Sequence, residues 1–492
     1  MNATAGFAAL AAVAAATALI GFYGLRISRT TSDFYVASRT VKPWLNASAI
    51  GGEYLSAASF LGIAGLVMVS GLDALWFPIG YTAGYLMLLL FVAAPLRRSG
   101  AYTIPDFAQA RLDSTAARSV TSVLVVVVGW FYIVPQLHGA ALTIRTTTGL
   151  PAWVGSVAVV AVVVLTVATG GMRSITFVQA FQYWLKLTAL GVPAIFLVLQ
   201  VSGPGAPVPS AEAAAMVWGG SGGSPYRTLS LLAALLFGTL GLPHVLVRFY
   251  TNPDGSAARR TTLIVLGLLG LFYIFPTILG VLGRLFLPEL VAAGGADAVV
   301  LLLPGRLVGG TAGELLSALV IAGAFAAFLS TTSGLVVSLA GVISQDLLGG
   351  SVRGFRWAAV LSAVVPLAVA LGTQSLGLAG SVGLVFAFTA STVCPMLVLG
   401  IWWRGLTDAG AIAGMVAGGT LCGGAILLGP RLHAGDPGYE LLSQPAAWTV
   451  PVAFAVMVLV SRATAHRQGA GTARFMTRLH VPERPLSPGK PR

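Results

Sequence analysis

The chain is poor in charge: only 9% of its 492 residues are Asp, Glu, Lys or Arg, against about 25% in an ordinary soluble protein. So little polar surface excludes water as the main solvent. Cysteine is nearly absent, with Cys394 and Cys422 alone, which leaves no disulfide framework and no Cys/His spacing of a metal site. Acidic residues are outnumbered by basic ones, 15 against 28, for a formal net charge of +13. On a soluble protein that balance would suggest nucleic acid. Here the basic residues lie between apolar runs and in the C-terminal tail, with no patch interleaved with aromatics, so no nucleic-acid partner is expected. A nucleophile–base pair, a His cluster and a phosphate loop are missing as well, and the chain does not read as an enzyme.

What fills the chain is apolar sequence, 57% of all residues. Runs of about 20 residues recur throughout, each long enough to cross a ~30 Å hydrocarbon layer. Hydropathy predicts an all-α polytopic membrane protein of about 13 helices, at roughly 5–26, 44–71, 74–96, 118–141, 152–170, 175–201, 227–250, 260–286, 312–345, 355–373, 376–402, 409–429 and 447–463. The first run has no positive charge before it and is followed by Arg26 and Arg29. That pattern predicts a retained span with the N-terminus outside, not a cleaved signal peptide. Most basic residues, including Arg97, Arg98, Arg111, Arg248, Arg259, Arg260 and Arg404, then fall on the cytoplasmic side. An even number of spans would break this asymmetry. The expected setting is a bacterial-type plasma (inner) membrane, crossed many times, with the C-terminus cytoplasmic. The basic tail from Ser461 cannot bury a core and is expected to be disordered or to lie on anionic lipid.

Two spans are interrupted deep in the bilayer. The second carries Ile50-Gly51-Gly52-Glu53-Tyr54-Leu55-Ser56, and the seventh carries Gly238-Thr239-Leu240-Gly241-Leu242-Pro243-His244. Such breaks free backbone groups that are tolerated only where they line a cavity or bind something. Matched breaks five helices apart suggest two inverted repeats, helices two to six and seven to eleven, as in secondary transporters. The ninth span supplies a run of four hydroxyls, Ser330-Thr331-Thr332-Ser333. Hydroxyl oxygens are hard neutral ligands suited to Na+, although Ser and Thr also bond to carbonyls one turn back. Lys186 lies about 11 residues into the sixth span, about 16 Å along it, and snorkelling or an internal partner is expected for it ahead of a substrate role.

At these residues the chain resembles the sodium:solute symporter family, and the resemblance runs over almost its whole length. Glu53-Tyr54-Leu55-Ser56-Ala57-Ala58-Ser59-Phe60-Leu61-Gly62 resembles the first core helix of the cation/acetate symporters. Tyr102-Thr103-Ile104-Pro105-Asp106-Phe107 with Arg111 resembles the family's loop motif, and Gln136-Leu137-His138-Gly139-Ala140 its third core helix. Gly170-Gly171-Met172 is similar to the monocarboxylate branch, and Gly241-Leu242-Pro243-His244 with Arg248-Phe249 is the family's strongest signature. The resemblance implies a leucine-transporter-type inverted 5+5 core with one helix before it and two after. It also implies Na+ as the coupling ion and no other cofactor. The implied ligands are the carbonyls of Gly52, Leu55 and Ala327 and the hydroxyls of Ser330 and Thr331. Two departures stand out. Gln179 occupies a position where many members carry Asp, so an auxiliary ion exit site loses its charge. Glu53 stands where the acetate branch commonly has Asp, and it either sits near Na+ or titrates and couples protons.

The expected organisation is a first helix and loop (1–43), a first repeat (44–202), an extracellular loop (203–226), a second repeat (227–404), two further helices (405–463) and a cytoplasmic tail (464–492). The expected function is Na+-coupled import of a small monocarboxylate such as acetate, propionate or pyruvate by alternating access. Glu53, Tyr54, Gln136 and His244 are the candidate substrate contacts, placed near half-helix dipole ends. Its partners are then a small carboxylate, Na+ and membrane lipid. Proline or pantothenate is the alternative cargo, with Na+ or H+ as driver, and a membrane sensor without flux is the alternative class.

Overall fold

With no water in the bilayer to pair with them, backbone groups of long apolar runs must be satisfied within the chain, and helices do this best. A computed structural model describes residues 3–25, 37, 40–203, 209, 224–373, 377–433, 435–469 and 471–481, and helices are the only regular elements among them. Span 1 is Ala3–Leu25. Span 2 is split into Pro43–Tyr54 and a second half, Ala58–Gly62 continuing as Ile63–Ser70. Span 3 is Trp76–Phe91 with the extension Ala93–Arg98, and span 4 is Thr115–Thr148. Helix Trp153–Ser202 is turned at Gly171, whose φ of 58° only glycine adopts readily, and so divides into spans 5 and 6. Span 7 is split again, Pro225–Thr239 and Pro243–Tyr250. Gly255–Phe286, Gly310–Leu347 and Val352–Gly372 are spans 8, 9 and 10, and Leu378–Ser391 with Val393–Trp402 makes span 11. Spans 12 and 13 are Asp408–Leu428 and Ala446–Ala463.

Nine described helices are long and apolar enough to cross a membrane, or ten with the pair in span 11, bent by 41°, taken as one. Thirteen follows when the turns at Gly71 and Gly171 are each taken to separate two spans and span 1 is included. The spans match the predicted ones to within a few residues, except that span 4 continues to Thr148.

Span 9 is the axis of the molecule. Every residue from Gly323 to Ser344 is buried, and spans 2, 4, 6 and 10 pack around it. The loop motif after span 3 has a local role: Thr103 caps the helix Ile104–Leu112 and Asp106 returns the bond, a reciprocal capping box. Asp106 also pairs with Arg118 at 3.0 Å, and Arg118 with Asp346 at 2.6 Å, tying this loop to the end of span 9.

The tail departs from expectation. Residues Thr472–His480 form a helix that buries Met476 and Leu479 and sets Phe475 against Phe107, 5.9 Å between ring centres. Arg98 donates to the carbonyl of Leu479 at 3.2 Å. Apolar residues at the spacing of one helix face give the segment enough area to dock, which a net-charge argument overlooks. Residues 482–492, and most of the loop 203–226, lie outside the described residues.

Candidate functional site

The break in span 2 leaves three carbonyls and an amide without helical partners, and the fold answers each from elsewhere. The first half ends at Tyr54 with Leu55 at φ −74°, ψ 86°. Thr331 on span 9 donates its hydroxyl to the Glu53 carbonyl at 2.6 Å. Gln136 on span 4 accepts from the Ala57 amide at 2.8 Å. The carbonyls of Gly52 and Leu55 accept from the Lys186 ammonium, the latter at 2.7 Å. Lys186 donates its third bond to Ser330 Oγ at 3.0 Å. Ser330 Oγ in turn donates to the Ala327 carbonyl at 3.0 Å.

The five oxygens that the family resemblance implies as Na+ ligands lie along the junction of spans 2 and 9, and three of them converge on one point. The cation they surround belongs to the chain. Gly52, Leu55 and Ser330 hold Lys186, while Ala327 and Thr331 are bonded to Ser330 and Glu53. The residues present in this arrangement do not fit a bound Na+. The hydroxyl run divides: Ser330 and Ser333 bond one turn back, Thr331 reaches across to span 2, and Thr332 has no partner among the described residues.

A second buried network lies one turn away. Arg248, counted among the cytoplasmic basic residues on sequence grounds, has no exposed surface. It follows the span 7 break by only five residues and so points into the core. Its Nε donates to Glu53 Oε2 at 2.7 Å and its Nη1 to Thr176 Oγ1 at 2.8 Å, and Nη2 bonds Gln179 Oε1. Gln179 uses its amide to donate to the Ser330 carbonyl at 2.8 Å. An Asp there could accept from Arg248 but could not also donate to span 9. Room for the Glu53 carboxyl comes from Gly334, where a Cβ would lie 2.1 Å from Glu53 Cδ and Oε1.

The third feature is an aromatic cluster joining the two broken helices. Tyr54 sits 4.5 Å from Tyr85 and 5.8 Å from Tyr81 between ring centres, and Phe386 of span 11 lies 5.1 Å from Tyr81. Tyr132 stands 5.1 Å from His244 and 5.9 Å from Phe386. The Tyr54 hydroxyl is engaged, with Thr239 Oγ1 at 3.2 Å and the Tyr81 carbonyl at 3.3 Å, and so pins one break to the other. Gln136 is engaged too, its Nε2 donating to the Tyr132 carbonyl at 3.3 Å. Five other buried polar atoms have no partner among the described residues: Ser56 Oγ, the hydroxyls of Tyr81 and Tyr85, and both ring nitrogens of His244. An unpaired buried polar group costs about 1–3 kcal/mol, so such a cluster is expensive unless something polar enters it.

Two broken helices carrying breaks at matched depth, braced on a central ninth span, define the architecture, and the comparisons with known proteins agree with it. The profile described as "Sodium:solute symporter family" matches residues 34–418. The chain belongs to the sodium:solute symporter family. This member is 32% identical over 487 residues to the "Uncharacterized symporter YwcA" of Bacillus subtilis (strain 168), covering 92% of the chain and 93% of that relative. Among solved structures its fold resembles a Na+-coupled sialic acid symporter in a substrate-bound outward-open state, with TM-score 0.72 and 16% identity over 93% of this chain and 98% of that one. It also resembles Mhp1, a nucleobase-cation-symport-1 family transporter with bromovinylhydantoin bound in a closed conformation. There the TM-score is 0.59 and the identity 15%, over 90% of this chain and 98% of that one. These are leucine-transporter-type folds, and so is this member's.

Within this symporter-family core, the expected substrate contacts separate. Glu53 is ion-paired to Arg248 through Oε2 and Tyr54 and Gln136 are spent on bracing the breaks, while Glu53 Oε1 and both ring nitrogens of His244 have no partner among the described residues. Sequence reasoning missed Tyr81, Tyr85 and Ser56 at the cluster and gave Arg248 no place in the core. It allowed Lys186 an internal partner but did not connect it to the ion site. A signal existed for both cations: each lies inside an otherwise apolar span, where a charge is costly and functional as a rule.

Proposed function

We propose that this family member is a secondary active symporter, not an enzyme, which imports a small monocarboxylate of the acetate, propionate or pyruvate type by alternating access. One observation carries the choice of an anion. The network around the break in span 2 holds two buried cations, Lys186 and Arg248, against one carboxylate, Glu53. One positive charge is left over in a low-dielectric interior, where an isolated ion is strongly penalised. A monoanion entering beside it balances that charge one for one; a zwitterion such as proline or a neutral sugar does not.

The free polar atoms suit the same cargo. His244 lies one turn before Arg248 on span 7, and with Ser56, Tyr81 and Tyr85 it offers donors to a carboxylate while the surrounding rings cover a short alkyl chain. Because Tyr54 and Gln136 link the breaks of spans 2 and 7 to their neighbours, a ligand seated among these rings is coupled to both hinges. The side carrying Arg97, Arg98, Arg118 and the helix Thr472–His480 is taken as cytoplasmic, in a bacterial-type plasma membrane. Sodium coupling is supported by the family assignment, while the expected Na+ oxygens favour an internal cation.

The test is uptake of labelled acetate, propionate, pyruvate and proline into proteoliposomes holding the full chain. Saturable uptake of at least one short monocarboxylate, unaffected by excess proline, is the expected result. Transport of proline alone, or of none of the four, would refute the assignment.

A further inference from the structure

We infer that the Lys186 ammonium is a resident, covalently tethered cation that takes the place of Na+ between spans 2 and 9, so that this site closes without sodium. The inference rests on the chain being a transporter with this core, and not on which carboxylate it carries.

The geometry is that of a coordinated cation. An ammonium has three N–H donors and no acceptor, and Lys186 meets three oxygens: the carbonyls of Gly52 and Leu55 and the hydroxyl of Ser330. The Ser330 hydroxyl proton is already given to the Ala327 carbonyl, so toward Lys186 that oxygen can only accept. With the Ser330 proton given to Ala327, three acceptors face the amine, which matches the three N–H donors of an ammonium and exceeds the two of a neutral amine. Two of the oxygens belong to the break in span 2 and one to the middle of span 9. The Lys186 side chain thus bridges the same two elements an ion would bridge, from a third.

The surroundings are built for it. A Cβ on Gly52 would lie 2.1 Å from the carbonyl of Gln179, one helix turn below Gln182 and two below Lys186 on span 6. That close approach of backbones brings the break within reach of a lysine stem. The chain has only three lysines, Lys42, Lys186 and Lys490, among its 28 basic residues, and only Lys186 falls within a span. A planar guanidinium could not point its donors at three convergent oxygens, whereas a compact ammonium can. A Na+ placed among these oxygens would touch the ammonium, and two unit cations at contact repel strongly in a medium of low dielectric.

Unlike an ion, this cation cannot dissociate. The junction of the broken second helix with span 9 is therefore held without sodium. The test measures binding of radiolabelled sodium to the purified full chain, independent of any substrate. The wild type is expected to show no saturable binding that depends on Ser330. Lys186→Ala should acquire it, and Ser330→Ala added to Lys186→Ala should remove it again. Saturable binding by the wild type that Ser330→Ala abolishes would overturn the inference. So would a folded Lys186→Ala that binds no sodium, since the oxygens would then never have formed a cation site. Should Lys186→Ala not fold, the wild type and Ser330→Ala alone still decide. A second arm follows propionate counterflow in proteoliposomes with choline in place of sodium. A rate within about two-fold of that in sodium supports the inference, and a strict sodium requirement that Ser330→Ala abolishes refutes it. Absence of carboxylate counterflow in either salt would count against the proposed cargo and leave the sodium-binding arm to judge Lys186.

Discussion

Breaking the Glu53–Arg248 pair should be costly, and more costly than the two side chains taken separately would suggest. The Nε–Oε2 distance is 2.7 Å and both side chains are almost wholly buried. Charge centres about 4 Å apart attract by about 4 kcal/mol at an effective dielectric of about 20, and removing one partner of a buried pair costs about 3–5 kcal/mol. Glu53→Gln keeps the shape and an acceptor for Arg248 Nε but leaves Arg248 and Lys186 with no buried counter-charge. Arg248→Met removes the ion pair together with the bonds to Thr176 and Gln179. Each single change should lower stability by about 3–5 kcal/mol. The double variant should lose at least about 2 kcal/mol less than the sum, because its second substitution removes a group already stranded by the first. Titrating a denaturing detergent into the full chain in mild micelles, followed by tryptophan fluorescence, measures all four corners of the cycle. Losses that add to within about 0.5 kcal/mol would show that the two charges are not energetically paired, and the charge count behind the monoanion proposal would fall with it.

Three further outcomes are expected. Tyr85→Phe deletes a hydroxyl without a partner among the described residues, so it should leave substrate-free stability unchanged or raised while KM for the carboxylate rises by about two- to ten-fold, the value of one hydrogen bond; an unchanged KM would remove Tyr85 from the site. Gly334→Ala places a methyl 2.1 Å from the Glu53 carboxyl and should cost about 1–3 kcal/mol by overpacking, read as a lower unfolding midpoint; a neutral result would mean Glu53 can move aside freely. Asp297, in the loop between spans 8 and 9, accepts from the Leu378 amide at 2.9 Å, and burial pushes its carboxyl above the ordinary value. The folded chain then holds a proton the unfolded chain has lost, so stability should fall as pH rises from the ordinary aspartate value to the raised one and stay level above it. Asp297→Asn should flatten that part of the pH–stability curve, and an unaltered curve would show that Asp297 does not cause it.

Much of the fold was legible because membrane helices are specified by local quantities. Run length gave the spans, the basic loops gave their odd number, and Gly-Gly and Gly-x-x-Gly-Leu-Pro gave the two breaks. The meeting of spans 2 and 9 was legible through the family's motif order, but the oxygens expected there to bind Na+ include three that hold Lys186 instead. Residues Thr472–His480 were misjudged because a tail's charge was weighed and the spacing of Phe475, Met476 and Leu479 was not. The substrate contacts were only partly legible, since whether Tyr54 or Gln136 is free depends on partners on other spans.

By itself the sequence determined that this is a multi-span symporter-family protein with two broken helices and a hydroxyl run on the ninth span. Each of those properties is written in residues close together along the chain. Only the tertiary structure decided which charge meets which oxygen. Arg248 lies 195 positions from Glu53, and Lys186 lies 134 from Gly52 and 144 from Ser330. No local pattern encodes such a meeting, because it depends on the depth and rotation at which packed helices come to rest. At the expected sodium site that packing set a lysine among the oxygens.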